Sequence, residues 1–318
     1  MKNKQHIIDI PVGMCRPVEW NDCASSFAKK IMKIAAFCGC SVLMLFSACD
    51  GDIDFGEQYK KTIYLVHGNN LLYTKEHLYG AENDRLIFSV YCASSESIKQ
   101  DVSVLLKIDQ YALDSLNTQR LLENSAYIDK QMLPAASYEM PAEAQVIIPA
   151  GKQYALLEIP FHPENLDPDV SYALPISIVS NNCNYGLSYE ARSLVYEIKM
   201  TNKYSGIFTG ASAETPTVVR PVQITLKAIS ENQVRMPIHD LNADEQYLNT
   251  NFMLLTVDED GLVTIAPWAN AQIVDLGGSF CDEVQQSFEL HYLYIAENGD
   301  MFTITEKIAN INAPKLVQ

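Results

Sequence analysis

An alternation of apolar and polar side chains runs through Asp101-Val102-Ser103-Val104-Leu105-Leu106-Lys107-Ile108-Asp109. The four apolar side chains of even number share one face, and Ser103, Lys107 and Asp109 share the other. Successive side chains of a strand point to opposite faces, so this period of two predicts a half-buried β-strand. Residues 110–123 follow as the one convincing helix candidate of the body, and Asp109 is placed to cap its start. The ragged apolar stripe of this helix consists of Tyr111, Leu113, Leu116 and the pair Leu121-Leu122.

Short strand candidates separated by turn residues surround this stretch on both sides. They are Thr62–Val66, Arg85–Tyr91, Gln145–Ile148, Tyr154–Pro160, Tyr172–Val179 and Ser193–Met200. Several short strands with one short helix predict an Ig-like β-sandwich, which we place at residues 60–201.

A second β-rich unit is expected from Tyr204 to residue 318. Its strand candidates are Val222–Ile229, Gln233–Ile238, Phe252–Val257, Leu262–Ile265, Gln272–Leu276, Ser287–Ile295 and Met301–Ile308. Asp260-Gly261 and Asn298-Gly299 are strong hairpin signals, because glycine supplies the positive φ that tight turns need. Consecutive hairpins favour an antiparallel meander, either a small lipocalin-like barrel or a sandwich. The predicted fold class is therefore all-β.

The N-terminal region has the pattern of a bacterial lipoprotein signal. An apolar run, Ile34–Phe46, ends in Ser47-Ala48-Cys49, and it is too short to cross about 30 Å of hydrocarbon, which needs about 20 residues. We predict cleavage before Cys49 and lipidation of its sulfur, so that residues 1–48 are a signal region and the acidic segment 49–59 is a tether.

The position of the start codon has two interpretations. Met32-Lys33 directly before the apolar run is typical of the short basic start of a signal peptide. We therefore predict that translation begins at Met32 and that residues 1–31 are a mis-assigned start. The alternative is a long basic region that ends in Lys29-Lys30.

Net charge limits the partners. Six of the 23 basic and three of the 39 acidic residues precede Cys49, which leaves 17 basic and 36 acidic residues and a net charge of −19 from Cys49 onward. Such a chain repels phosphate backbones and anionic lipid headgroups. We expect no nucleic-acid partner, and we expect membrane attachment through the N-terminal lipid alone.

Cysteine and histidine usage gives no sign of a metal site. Cys92, Cys183 and Cys281 lie far apart without metal-ligand spacing, so we interpret them as buried or half-buried thiols. The histidines after Cys49 have no partner at i+4, and a scattered histidine is more often surface or hydrogen-bonded core than a ligand. The sequence predicts neither a metal nor a cofactor.

The turn and core residues resemble a known family. The residues that carry the likeness are Leu133-Pro134, Tyr138, Val146-Ile147-Ile148-Pro149-Ala150-Gly151, Leu166-Asp167 and Tyr172-Ala173-Leu174-Pro175-Ile176. They resemble the N-terminal domain of surface lipoproteins found in glycan-utilisation gene clusters, domain-of-unknown-function family 1735. The part from Tyr204 onward resembles family 4361, which often accompanies it. The resemblance implies fold far better than activity.

Candidate ligand residues follow from the chemistry of sugars. Sugars present C–H faces that stack on aromatic rings and hydroxyls that bond to amides and carboxylates. Trp268, Tyr247, Asn251 and Asn270 stand in polar, irregular segments of the second unit and are our candidates. The alternative for Trp268 is packing under a loop as core, since tryptophan is highly buried on average.

No catalytic motif is present in the sequence, so no catalytic residue is predicted. A glycosidase-like carboxylate pair stays open, because it is defined by a separation in space. We expect a non-catalytic surface lipoprotein of the outer membrane, facing the cell exterior, that binds glycan beside a polysaccharide uptake system. The alternatives are an adaptor that contacts the proteins of that system and an unrecognised glycan hydrolase.

Overall fold

The computed structural model describes residues 59–214, 218–296 and 298–312. The predicted signal region, Cys49 and the tether up to residue 58 lie outside the described residues. What the structure describes is all-β apart from one α-helix and three short 3-10 turns, as the sequence predicts.

Ten strands build the first domain. They are β1 (Thr62–Leu65), β2 (Leu72–Leu78), β3 (Arg85–Ala93), β4 (Val102–Ile108), β5 (Gln131–Met132), β6 (Glu143–Ile148), β7 (Tyr154–Pro160), β8 (Tyr172–Asn181), β9 (Gly186–Leu187) and β10 (Ser193–Thr201). One sheet has the order β7-β3-β1-β9, and the other has the order β2-β10-β8-β4-β6 with β5 beside β8. The apolar faces of the two sheets enclose one core, so the domain is a β-sandwich.

The stretch 101–109 forms the half-buried strand that its alternation predicts, β4. β4 pairs antiparallel with both β6 and β8, and Val102, Val104 and Leu106 are fully buried. The strands β2, β5 and β9 of this domain were not predicted, and β2 runs parallel to β10 over seven residue pairs.

The helix α1 (Gln110–Glu123) begins and ends where the sequence predicts, but two details differ. Asp109 holds the cap position without making a side-chain cap hydrogen bond, and its carboxylate lies 3.6 Å from Lys107 Nζ instead. Only the first two turns are buried: Leu113 and Leu116 pack on β8 and β10. Tyr111, Leu121 and Leu122 are exposed, because the helix lies on the outer face of a sheet and no other described element covers its opposite side.

Nine strands build the second domain. They are β11 (Gly206–Glu214), β12 (Val218–Ala228), β13 (Gln233–Pro237), β14 (Phe252–Val257), β15 (Val263–Pro267), β16 (Ile273–Asp275), β17 (Phe280–Asp282), β18 (Ser287–Ile295) and β19 (Met301–Asn310). The sheet order is β15-β14-β13-β12-β11-β19-β18-β16, with β17 also beside β18. All pairs are antiparallel, which confirms the meander.

The two ends of this sheet approach each other. The Ile265 N–H donates to Asp275 Oδ2 over 3.0 Å, and the Cys281 N–H donates to the Gly261 carbonyl over 2.8 Å. The sheet is therefore a nearly closed barrel. The predicted hairpin glycines Gly261 and Gly299 both have positive φ, at 81° and 86°.

Candidate functional site

Two neighbouring loops at one end of the barrel contain all four candidate ligand residues. We call them the loop pair: residues 238–251 between β13 and β14, and residues 268–272 between β15 and β16. The first loop carries Tyr247 and Asn251, and the second begins with Trp268. Successive turns of an antiparallel meander alternate between the two ends of the sheet, so the β13–β14 and β15–β16 loops, with one hairpin between them, lie at the same end.

Main-chain hydrogen bonds join the two loops. The Asn270 N–H donates to the Asn249 carbonyl over 2.8 Å, and the Trp268 N–H donates to the Phe252 carbonyl over 3.2 Å. The loop pair is thus one connected surface, although its candidates come from separate parts of the chain.

Trp268 is half-buried and lies against the side chain of Arg235. The Arg235 guanidinium carbon is 4.5 Å from the centroid of the indole ring and 5.6 Å from that of Phe252. Trp268 is not among the residues of the barrel core. The structure therefore places the tryptophan outside the core, on a buried cation that fixes the position of its ring.

Arg235 is held in turn by the sandwich domain. Asp169, in the loop between β7 and β8, accepts hydrogen bonds from Arg235 Nη1 at 2.8 Å and from Lys227 Nζ at 2.8 Å. The hydrogen bond from Arg235 is the main cause that lowers the pKa of Asp169 to about 2, against the effect of partial burial. This ion pair connects the two domains directly beneath Trp268.

Sequence reasoning missed Arg235 and Asp169. One signal was available: Arg235 stands in a strand between apolar neighbours, and a buried arginine needs a carboxylate partner. The partner lies 66 positions earlier in the chain, which no local pattern indicates.

The three other candidates differ in how free their side chains are. Asn251 is used inside its own loop: its Nδ2 donates to the Asn242 carbonyl over 3.0 Å, and its Oδ1 accepts from the Thr250 hydroxyl. Tyr247 is 39% exposed. Asn270 is exposed, and its side-chain amide makes no hydrogen bond with other described residues. Trp268, Tyr247 and Asn270 are therefore the members of the set that can meet a ligand.

A cleft of about 830 Å³ lies between the sandwich and the barrel and is lined by Asp169 and Glu197. Burial acts to raise the pKa of Glu197, but hydrogen bonds from Lys130, Thr74 and Ser171 outweigh it, and the net pKa is lowered. Both carboxylates are thus held ionised by their partners. A glycosidase acid needs a raised pKa, so neither residue suits that role.

The barrel interior holds a polar cluster of Ser212, His239, Tyr292 and Glu306. Ser212 Oγ lies 2.6 Å from His239 Nδ1, and His239 Nε2 lies 3.4 Å from Asp240 Oδ1. These residue types also occur in hydrolase triads, but Ser212 is completely buried, so no substrate carbonyl can reach its hydroxyl. The cluster is barrel interior, and His239 is a hydrogen-bonded core histidine.

Glu306 is the one described carboxyl with a clearly raised pKa. It is completely buried, and burial raises its pKa to about 7. This is the range of a general acid, but the side chain is sealed inside the barrel. Within the described residues, no grouping of histidine, cysteine and carboxylate side chains could hold a metal ion.

Two family models match the chain in succession. One is described as an N-terminal domain and matches residues 59–184, and the other is described as C-terminal and matches residues 192–309. The order of the models follows the order of the sandwich and the barrel. Among curated proteins, none matches the chain.

Solved structures from Bacteroides share the fold. A Bacteroides ovatus protein of unknown function is 18% identical, with a TM-score of 0.55 over 75% of this chain and 88% of its own. A multidomain protein including DUF1735 from the same organism is 17% identical, with a TM-score of 0.55 over 76% and 89%. An auxiliary nutrient binding protein from Bacteroides thetaiotaomicron is 15% identical, with a TM-score of 0.49 over 76% and 91%. At these identities the first two likenesses establish the fold alone.

Proposed function

We propose that the chain is a non-catalytic accessory protein of nutrient uptake that binds a glycan at the loop pair. One observation carries the proposal: Trp268, Tyr247 and Asn270 come from separate loops and lie on one connected surface. An aromatic ring and a neighbouring free amide together supply the two kinds of contact that a sugar ring makes.

Preorganisation supports the role of Trp268. A ring held by the buried Arg235 guanidinium loses little freedom when a ligand arrives, and binding is stronger when that entropy has already been lost. The net charge of −19 from Cys49 onward disfavours polyanions, so we propose a neutral or weakly charged glycan.

The location remains part of the proposal. We propose that a lipid on Cys49 holds the protein in the outer membrane, facing the cell exterior, beside the proteins of an uptake system. In the part of the chain that the structure describes, no helix is long and apolar enough to cross a membrane.

Mass spectrometry of the protein from its native membrane tests the anchor. The expected N-terminal peptide begins at Cys49 and carries the mass of a lipid, and Cys49→Ala moves the protein out of the membrane fraction. An unmodified N-terminal peptide that begins upstream of Cys49 would contradict the anchor.

Glycan arrays followed by calorimetry with Trp268→Ala test the binding site. We expect the variant to bind about tenfold more weakly or worse, as for truncation of an aromatic anchor. Tyr111→Ala is the matched control, because it removes an aromatic ring that is 78% exposed on α1, away from the loops.

A second variant distinguishes the loss of a ligand contact from a disturbance of the fold. Trp268→Ala also removes a contact of Arg235, so Asn270→Ala, which removes an exposed side chain, should weaken binding as well. Unchanged affinity in both variants would reject the loop pair. If the wild-type protein binds no glycan at all, the adaptor function becomes the better proposal, and turnover abolished by one carboxylate change would favour the hydrolase.

A further inference from the structure

Three tyrosines form a row across the outer face of the four-stranded sheet. The strand registers place Tyr64 of β1 directly opposite Tyr91 of β3, and Tyr91 directly opposite Tyr154 of β7. The residues on either side of Tyr64 and Tyr91 are buried in the sandwich core, and Ala155, which follows Tyr154, packs against it. The three side chains therefore stand side by side on the face that is turned away from the core. We call this set the tyrosine row.

The row is an ordered, partly exposed surface. The rings of Tyr64 and Tyr91 have centroids 5.3 Å apart, and the Tyr91 hydroxyl donates to Gln153 Oε1 over 2.6 Å. Tyr154 is 54% exposed. Neighbouring strands lie about 4.8 Å apart, so the row extends over about 10 Å between its outer backbones.

The same face exposes further apolar surface. Ile87 and Leu156 are 47% and 46% exposed and lie on the same strands, β3 and β7, as Tyr91 and Tyr154. A sheet with one solvated face normally alternates apolar residues inside with polar residues outside. Exposed aromatic and aliphatic side chains on this face, interspersed with Ser89, Arg85 and Glu158, depart from that pattern, and exposed apolar patches mark interaction sites.

The charge of this face indicates which class of ligand can bind to it. Its charged pair, Arg85 and Glu158, is 3.4 Å apart and neutralises itself, and the tyrosine row itself is uncharged. From Cys49 onward, the chain carries a net charge of −19. A polyanion would gain nothing from the row and would be repelled by the rest of the surface, whereas a neutral ligand avoids both penalties.

We propose that the tyrosine row is a second glycan-binding platform, which takes an extended, neutral polysaccharide across β1, β3 and β7. The rings stack on the C–H faces of successive sugars, and the tyrosine hydroxyls and the Gln153 amide bond to their hydroxyls. The platform stands on the sandwich and shares no residue with the loop pair, so it does not depend on the function proposed for the barrel. Two sites on one chain would raise the avidity for a polymer more than for a short oligosaccharide.

Affinity electrophoresis of the full mature chain tests the platform. The gels contain hydroxyethylcellulose, an α-mannan, a β-1,3-glucan or, as the polyanion, polygalacturonate. At least one neutral polysaccharide should retard the wild-type protein. The double variant Tyr91→Ala/Tyr154→Ala should raise the apparent dissociation constant for that polysaccharide by about tenfold or more.

Matched variants separate loss of the rings from loss of the fold. Tyr154→Phe keeps the ring and should keep most of the binding, and Tyr111→Ala should leave retardation unchanged. If the alanine double variant unfolds, Tyr154→Ala alone, which changes a residue already 54% exposed, should weaken retardation.

The outcomes distinguish the platform from the loop pair. Retardation that is lost in the tyrosine variants but kept in Trp268→Ala supports the platform and shows that this polysaccharide does not bind through Trp268. Retardation that survives in every tyrosine variant overturns the platform and leaves the loop pair intact. No retardation by any neutral polysaccharide, or retardation by polygalacturonate alone, also overturns it. A wild-type dimer in sedimentation velocity that Tyr154→Ala dissociates would assign the face to a second copy of the chain instead.

Discussion

The sandwich and the barrel differ in the surroundings that they give to their buried polar side chains. In the sandwich, the buried His77 lies between two partners: its Nδ1 is 2.7 Å from Asp84 Oδ2, and its Nε2 is 3.1 Å from the Tyr196 hydroxyl. In the barrel, Glu306 is completely buried beside the hydroxyl groups of Ser212 and Tyr292, which act to lower its pKa, but burial outweighs them and the net pKa is raised. Burial costs the charged form of a carboxyl more free energy than the neutral form.

This difference follows from the two architectures. His77 stands where a strand of the sandwich meets a connecting loop, so groups from several elements can reach it. Glu306 points into the barrel at a level where the neighbouring strands supply Ser212, Leu290 and Tyr292. Ionised Glu306 therefore destabilises the folded barrel, whereas protonated Glu306 does so much less. The stability of this domain should depend on pH near neutrality.

Glu306→Gln should give the largest stability change of this comparison. The folded protein raises the pKa of Glu306 from its ordinary value of 4.5 to about 7, so between these values the folded state keeps a proton that the unfolded state has lost. Stability falls as pH rises through this window, and the full penalty is present above pH 7. The glutamine variant, which never ionises, should be more stable by on the order of 3 kcal/mol at pH 8.

Urea unfolding at pH 5 and pH 8 measures this effect. The advantage of Glu306→Gln should be small at pH 5 and large at pH 8, because wild-type Glu306 is protonated in the folded state at pH 5. Glu289→Gln, a change of a half-exposed glutamate on β18, is the matched control: the hydrogen bond from Lys307 lowers the pKa of Glu289, so this residue stays ionised between pH 5 and pH 8 and its replacement should not produce the pH-dependent difference. An equal advantage at both pH values would mean that Glu306 does not titrate inside the barrel.

Much of this architecture could be predicted from the sequence. Alternation of period two located β4, β14 and β18 to within one or two residues, because each has one face in a core and the other toward solvent. The glycine hairpins showed that the second domain is a meander. β17 was missed, since three residues are too few to show a period.

The interactions that matter most for function were beyond local patterns. The Asp169–Arg235 pair and the tyrosine row both depend on register between segments that are distant in the chain, and a shift of one residue would send every side chain to the opposite face. The candidate residues of the loop pair could be chosen by type, but not the cation beneath Trp268. Sequence patterns located candidate ligand residues on loops. They did not locate the contacts that form only when distant strands pair.

Asp169→Asn gives the opposite dependence on pH with a smaller effect. The pKa of Asp169 is lowered from 3.8 to about 2, chiefly by the hydrogen bond from Arg235, so its stabilisation is present above pH 3.8 and is lost as pH falls toward 2. We expect a loss of about 1–2 kcal/mol at pH 7, less than for a fully buried pair because Asp169 remains partly exposed to solvent.

Trp268 reports on this link between the domains. In a chain that begins at Cys49 it is the only tryptophan, and it lies on Arg235, so its fluorescence should change when Arg235 loses its partner. Acidification of the wild-type protein from pH 4 to pH 2 should move its spectrum about halfway toward that of Asp169→Asn, because the pKa of Asp169 is about 2, whereas the spectrum of the variant should change little. Lys227→Met is the matched control: it removes the second cation and leaves the Arg235 pair, so it should shift the spectrum less. If Lys227→Met changes the emission as much as Asp169→Asn, the general charge around Asp169 fixes the indole ring, and the specific pair beneath it does not.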